Sequence, residues 1–315
     1  MTEKKVDEKQ KTLAIMLTGW LWRVIAMSWA ITELAKKRPI KVITSRPLVF
    51  WANPYVKDVY GLDERDLFQR AIKWNDYFEL EPYTDPRFFN DWVNWLEIAR
   101  DKLWLEKIAE PILFLAEHEK ENAKIMKVPE WMVPVLYQPF GSTMEWNGSD
   151  KSYRSLKVED AQYVANLLLQ NGFLPMLVIK PGQPVLQWCQ ILDTPDLRAV
   201  LSLTSKYPLI WADSCLHHAA KAFWKKSVVI WAWTDKERYW YDSHINLREV
   251  PMVAHTPMRL PMNDFNFDIS NQYTNKFTKS FLNDAVKAFI NMFNKEYKDD
   301  FIPKCSKEAC KETWK

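Results

Sequence analysis

Asp213-Ser214-Cys215-Leu216-His217-His218 follows a short apolar run over 208–210 and opens a helical pattern over 214–223. A strand that ends at a helix N-terminus leaves backbone N–H groups without intrahelical partners, and the helix dipole adds positive potential there. Imidazole N–H groups in the first turn would add further donors. An anion such as a diphosphate suits that end of a helix. The competing reading is a plain N-cap at Asp213 or Ser214, since both residue types favour that position.

Two other stretches place polar groups at the end of an apolar run. Residues 135–138 read as a strand running into Gly141-Ser142-Thr143, with Lys151 and Arg154 close behind. Hydroxyls and backbone N–H groups could bond phosphate oxygens, and the cations could neutralise a leaving phosphate. An ordinary polar loop has the same composition. Near the N-terminus, Thr18-Gly19-Trp20-Leu21-Trp22-Arg23 joins an apolar strand over 13–17 to a helix over 23–37. Tight turns of this kind use glycine where φ is positive or a ligand approaches the backbone. Tryptophans at 20 and 22 are out of place there, and a pair of core aromatics would fit only outside a turn.

The elements that must hold these groups alternate along the chain. Apolar runs at 13–17, 40–44 and, more weakly, 54–60 are interleaved with helical stretches at 23–37, 63–73 and 88–105. The alternation restarts with strands at 135–138, 174–179, 208–210 and 227–231 and helices at 157–171, 195–206 and 214–223. Short buried strands separated by helices define βαβ units and parallel sheets. The proline-containing stretch 127–134 has no period and reads as a boundary. This gives one domain over 1–130, a second over 131–275, and a helix at 277–297 within a charged C-terminal segment, 276–315. Two α/β domains facing each other would hold a ligand at the carboxyl ends of their strands.

Composition narrows the function. The chain has 315 residues, 48% of them apolar and 26% charged, enough to bury two cores. That excludes disordered, collagen-like and disulfide-stapled classes. A net charge of +3 with no basic face is no nucleic-acid signature. Cys189, Cys215, Cys305 and Cys310 lack the spacing of a disulfide framework or a zinc site, which fits a reduced, cytoplasmic compartment. Residues 12–31 are long enough to span a bilayer. Arg23 near their centre would cost about 2.5–3.5 kcal/mol on insertion, and Gly19 divides them, so they read as strand, turn and helix with at most peripheral membrane contact. Two counts stand out: 6 glycines and 17 tryptophans. At an average usage of about 7%, a chain this long carries roughly 22 glycines, close to the two counts combined.

Over most of residues 12–235 the sequence resembles glycosyltransferase family 9, the heptosyltransferase-like enzymes with a GT-B fold. The pattern D-L-R-x-L-L-x-L-I, then D-S-x-x-x-H-x-A-A-A-L-G, then F-G-x-T-D is met by three stretches. They are Asp196-Leu197-Arg198; Asp213-Ser214 with His218-Ala219-Ala220-Lys221-Ala222-Phe223; and residues 231–235. The turn at 18–25 is similar to the family's G-G-L-G-D-V-I, and Asn53-Pro54-Tyr55-Val56-Lys57-Asp58-Val59 to its N-P-x-V-D-x-V. The resemblance implies two Rossmann-like domains across a cleft and inverting transfer of heptose or a related sugar. The donor would be a nucleotide-diphosphate sugar and the acceptor a glycan or lipopolysaccharide-type molecule, with no metal or other cofactor. It implies that Ser142, Thr143, Asp213, Ser214, Ala219 and Thr234 hold the donor, while His218 and Lys151 support departure of the nucleoside diphosphate.

Two departures from the pattern matter. Arg23 stands where the family often has an aspartate acting as general base, and an arginine cannot serve as a base near neutral pH. The base is then unassigned, and Arg23 is an acceptor-side residue suited to an acidic acceptor or a phosphate. Second, family glycines fall on Trp20, Trp22, Trp211, Trp224 and Trp233, with Trp104 and Trp240 in similar contexts. UGA codons translated as tryptophan but decoded as glycine by the source would produce this pattern. Trp231 occupies an aromatic position and stays tryptophan. The competing functions are a non-catalytic or decayed nucleotide-sugar- or glycan-binding protein and a nucleotide-sugar epimerase of the same architecture.

Overall fold

The computed structural model describes residues 11–19, 21–91, 93–123, 128–129, 131–141, 155–179, 182–192, 196–231, 241–249 and 277–301. The chain divides into two compact units, Met1–Glu117 and His118–Lys315.

In the first unit, β1 (Leu13–Leu17), β2 (Ile40–Thr44), β3 (Asp58–Gly61) and β4 (Asp76–Glu79) form one sheet in the order β3-β2-β1-β4. Every pairing is parallel. The apolar runs of β1 and β2 are largely buried, as parallel strands covered on both faces require. Residues 12–31 are divided as the sequence suggests, into β1 and the helices α1 (Leu21–Ala26) and α2 (Ser28–Ala35). Among the described residues no helix is long and apolar enough to cross a membrane.

Three helical expectations need correction. The helix expected over 23–37 starts earlier and breaks at Met27. The stretch 63–73 yields only a short helical turn, Phe68–Ile72. The stretch 88–105 divides into α3 (Pro86–Asn90) and α4 (Trp95–Lys102) because Asp85 and Asn94 each cap a new start. Their carboxylate and amide oxygens accept the N–H groups of Arg87 and Leu96 at 3.1 and 2.8 Å, and such acceptors favour a helix start over a continuous helix.

The second unit contains α5 (Glu117–Asn122), β5 (Val133–Gln138), α6 (Val158–Gln170), β6 (Phe173–Val178), β7 (Gln190–Leu192) and α7 (Leu197–Lys206). It continues with β8 (Leu209–Ala212), α8 (Cys215–Ala222), β9 (Ser227–Ile230), β10 (Ile245–Leu247) and α9 (Lys279–Glu296). The sheet is wholly parallel, in the order β10-β9-β8-β5-β6-β7. Helix α9 closes one face, with Phe289 and Phe293 set edge-on to Phe173 at centroid distances of 5.1 and 5.0 Å. The strand order reverses between β5 and β8, which makes the sheet doubly wound, and such sheets bind ligands where the order reverses, beyond the carboxyl ends of the strands.

Candidate functional site

At that reversal Gln138, the last residue of β5, lies opposite Trp211 of β8. Two residues past β8, the Ser214 hydroxyl donates to Gln138 Oε1 at 2.5 Å and accepts the Leu216 N–H at 3.2 Å. Ser214 is therefore the N-cap of α8, and it also ties the helix to the neighbouring strand end. Asp213 is buried with its Oδ1 3.9 Å from His217 Nδ1, one turn along the helix. The His217 and His218 rings lie 3.8 Å apart, and His218 Nδ1 is 2.7 Å from the Tyr241 hydroxyl. Ala219 is buried in the same helix, and Lys221 donates to Ser243 at 2.8 Å.

Two residues hold the segment carrying Tyr241, His244 against α8 and β9 and Asn246 against Trp231. His244 Nε2 lies 3.0 Å from the His217 carbonyl and Nδ1 lies 3.2 Å from the Ser227 hydroxyl. A carbonyl can only accept, so Nε2 carries the proton and Nδ1 accepts from Ser227. Burial, with a smaller contribution from His217, pulls the His244 pKa down to about 3, so the ring stays neutral. Asn246 donates to the carbonyls of Tyr241 and His244 at 2.9 and 3.1 Å and accepts the indole N–H of Trp231 at 2.8 Å. Gln138, Tyr241, His244 and Asn246 carry no motif and went unread in the sequence. The polar run 241–244 contains Tyr241 and His244, while Gln138 and Asn246 lie outside it.

The first sheet reverses its order between β1 and β4, and polar groups meet there too. Arg23 Nη1 donates to both Glu81 oxygens, at 2.8 and 2.7 Å, while Nη2 donates to the Thr18 carbonyl. Gly19, at φ +104°, needs its glycine twice over, because a Cβ there would land on the Arg23 guanidinium. Ser45 holds the turn from the other side through a 2.9 Å bond to the Gly19 carbonyl. Glu81 is the residue the sequence reading missed. Trp22 is not in the turn but in α1, edge-on to Trp95 at 5.4 Å.

The structure thus gathers Asp213, Ser214, His218 and Ala219 at one helix start and places Arg23 in the other unit. Ser142, Thr143, Lys151 and Thr234 lie outside the described residues. Gly141, just before the first two, is held through its N–H on Ser155 at 2.9 Å and its carbonyl on Gln183 at 2.6 Å. The D-L-R run serves the scaffold. Asp196 caps α7, and Arg198 forks onto the buried Glu119 carboxylate at 2.6 and 2.5 Å. Among the described residues no group of three or more His, Cys, Asp or Glu side chains could hold a metal ion.

No family model and no curated protein matches the sequence. Solved structures do match the fold. A glycosyl transferase family 9 protein from Veillonella parvula superposes with a TM-score of 0.61 at 11% identity, over 91% of this chain and 99% of that one. The E. coli ADP-heptose lipopolysaccharide heptosyltransferase II gives 0.60 at 14% identity, over 91% and 100%. The dodecameric, iron-containing heptosyltransferase TibC, solved with ADP-D-β-D-heptose, gives 0.59 at 13% identity, over 90% and 76%. At these identities the likeness is one of fold.

Proposed function

We propose that this chain is a glycosyltransferase that moves heptose or a related sugar from a nucleotide-diphosphate donor to a glycan or lipopolysaccharide-type acceptor. The observation that carries the reading is the α8 start at the β5/β8 reversal. There the Ser214 cap bonded to Gln138, the buried Asp213 and the His217–His218 pair converge on one helix N-terminus. Its fold-level likeness to two heptosyltransferases supports the choice of sugar donor. Backbone N–H groups and His218 would stabilise the departing diphosphate, with Lys151, Ser142, Thr143 and Thr234 completing the donor site.

On the acceptor side Arg23 is held by Glu81, so the group at that turn able to take up a proton is Glu81. We assign it as the acceptor-side general base, which would take up the proton of an acceptor hydroxyl in an inverting transfer. Acceptor binding is assigned to the first unit, Met1–Glu117, and donor binding to the second, His118–Lys315. The reaction takes place in the cytoplasm, without a metal or a further cofactor, without nucleic acid, and with at most peripheral membrane contact.

The test is turnover of nucleotide-diphosphate sugars with and without a glycan acceptor, in the presence and absence of chelator. Acceptor-dependent release of the nucleoside diphosphate, unaffected by chelator, is expected. Rearranged donor without acceptor would indicate an epimerase, and donor binding without turnover would indicate a binding protein.

A further inference from the structure

Helices α4 and α8 end in the same hydrogen-bonded turn. After α4, the Trp104 N–H donates to the Asp101 carbonyl at 3.2 Å and the Leu105 N–H to the Arg100 carbonyl at 2.9 Å. After α8, the Trp224 N–H donates to the Lys221 carbonyl at 3.0 Å and the Lys225 N–H to the Ala220 carbonyl at 2.9 Å. These nested bonds are the Schellman motif, whose residue just past the cap adopts the left-handed conformation and is usually glycine. Here φ is +49° at Trp104 and +59° at Trp224. Helix α6 ends with the ordinary occupant at the same place, Gly172 at φ +79°, its N–H on the Leu169 carbonyl at 3.1 Å.

The coincidence extends to two more turns. Trp74, after the helical turn at 68–72, has φ +70°, and Trp188, in the turn before β7, has φ +62°. Among the described residues the positive-φ positions are Gly19, Gly172, Gly182, Asp66 and these four tryptophans. Aspartate tolerates the left-handed region through its short polar side chain, whereas a bulky residue there is an outlier. The four indoles also stand in solvent: Trp74, Trp104, Trp188 and Trp224 are 85%, 84%, 79% and 78% exposed. Tryptophan is on average highly buried. Trp231 behaves as the residue normally does, fully buried with its N–H bonded to Asn246. A surface that used exposed indoles to bind glycans or lipid would select side-chain direction. It would have no reason to select left-handed backbone.

We propose that positions 74, 104, 188 and 224 are glycine in the natural protein, and that tryptophan stands there because UGA codons decoded as glycine in the source were translated as tryptophan. The inference rests on backbone geometry and exposure and is independent of the transferase reading. With these four exchanged the chain would carry 10 glycines and 13 tryptophans, a shift of both counts towards ordinary usage.

Two readouts test it. In the gene, UGA codons are expected at 74, 104, 188 and 224 and UGG at 231; UGG at 104 or 224 would overturn the proposal. In protein isolated from its natural source, tryptic peptides spanning 103–107 and 222–225 are expected to weigh as glycine at 104 and 224, and a tryptophan mass at either overturns it. A third measurement examines the backbone argument itself. In recombinant protein of the present sequence, the double substitution Trp104→Gly and Trp224→Gly should raise the denaturation midpoint, and a lowered midpoint would contradict it.

Discussion

Arg23 and Glu81, 58 residues apart in sequence, meet at the carboxyl edge of the first sheet, where one guanidinium nitrogen donates to both carboxylate oxygens. They bridge the point where the strand order reverses, between β1 and β4, just as Ser214 and Gln138 bridge the corresponding point between β5 and β8. Each unit therefore carries one polar bridge where doubly wound sheets bind ligands.

If Glu81 is the acceptor-side base, Glu81→Gln should lower acceptor-dependent turnover by about 10²-fold or more, the usual worth of general base catalysis. Donor affinity should stay within a few-fold. A purely structural partner of Arg23 would instead lower stability and turnover together.

His218→Ala is expected to reduce turnover far more than stability, because the imidazole is assigned to the leaving diphosphate. Ser214→Ala should do both. Loss of the cap costs about 0.5–2 kcal/mol, seen in urea unfolding, and donor affinity falls with it. Parallel losses of activity and stability in His218→Ala would make that residue part of the scaffold.

His244 makes stability depend on pH in a defined direction. Its folded-state pKa of about 3 lies below the ordinary histidine value of 6.5. The unfolded chain therefore binds the extra proton first, and stability is lost as pH falls from about 6.5 towards about 3, by up to about 1.4 kcal/mol per unit. His244→Gln should flatten that portion of the stability–pH curve. An unchanged slope would mean the ring is solvated.

Arg198 and Glu119 are both buried, so removing one leaves an uncompensated charge. Arg198→Ala should cost about 3–5 kcal/mol, while replacing both partners with apolar residues of similar volume should cost much less. Donor affinity measured in the surviving folded fraction should be unchanged, since the pair acts on α5 and α7 and not on the α8 start.

Much of this was legible where a signal was local. Strands β1 and β2 were bounded to the residue because each is a short apolar run between turns. Asp213, Ser214 and His218 stood out because one helix start carries all three. Strand β4 escaped because it is an exposed, charged edge strand, and β7 and β10 because three residues give no period. Gln138, 76 residues from Ser214, and Tyr241, 23 from His218, reach the site only through sheet pairing and the folding of the 241–249 segment. The glycine deficit was visible in composition. Of the tryptophans that context singled out, Trp104 and Trp224 do have left-handed backbone, whereas Trp22 lies in α1 and Trp211 is buried in β8; Trp74 and Trp188 emerge only once φ is known.

The most direct test of the central claim, a donor diphosphate at the α8 start, is calorimetric titration with ADP, GDP, UDP and CDP of the wild-type chain and of Ser214→Ala and His218→Ala. At least one nucleotide should bind, and each substitution should weaken it about tenfold or more, the worth of a hydrogen bond to a charged group. Absence of binding by all four, or an affinity unmoved by both substitutions, would contradict the account.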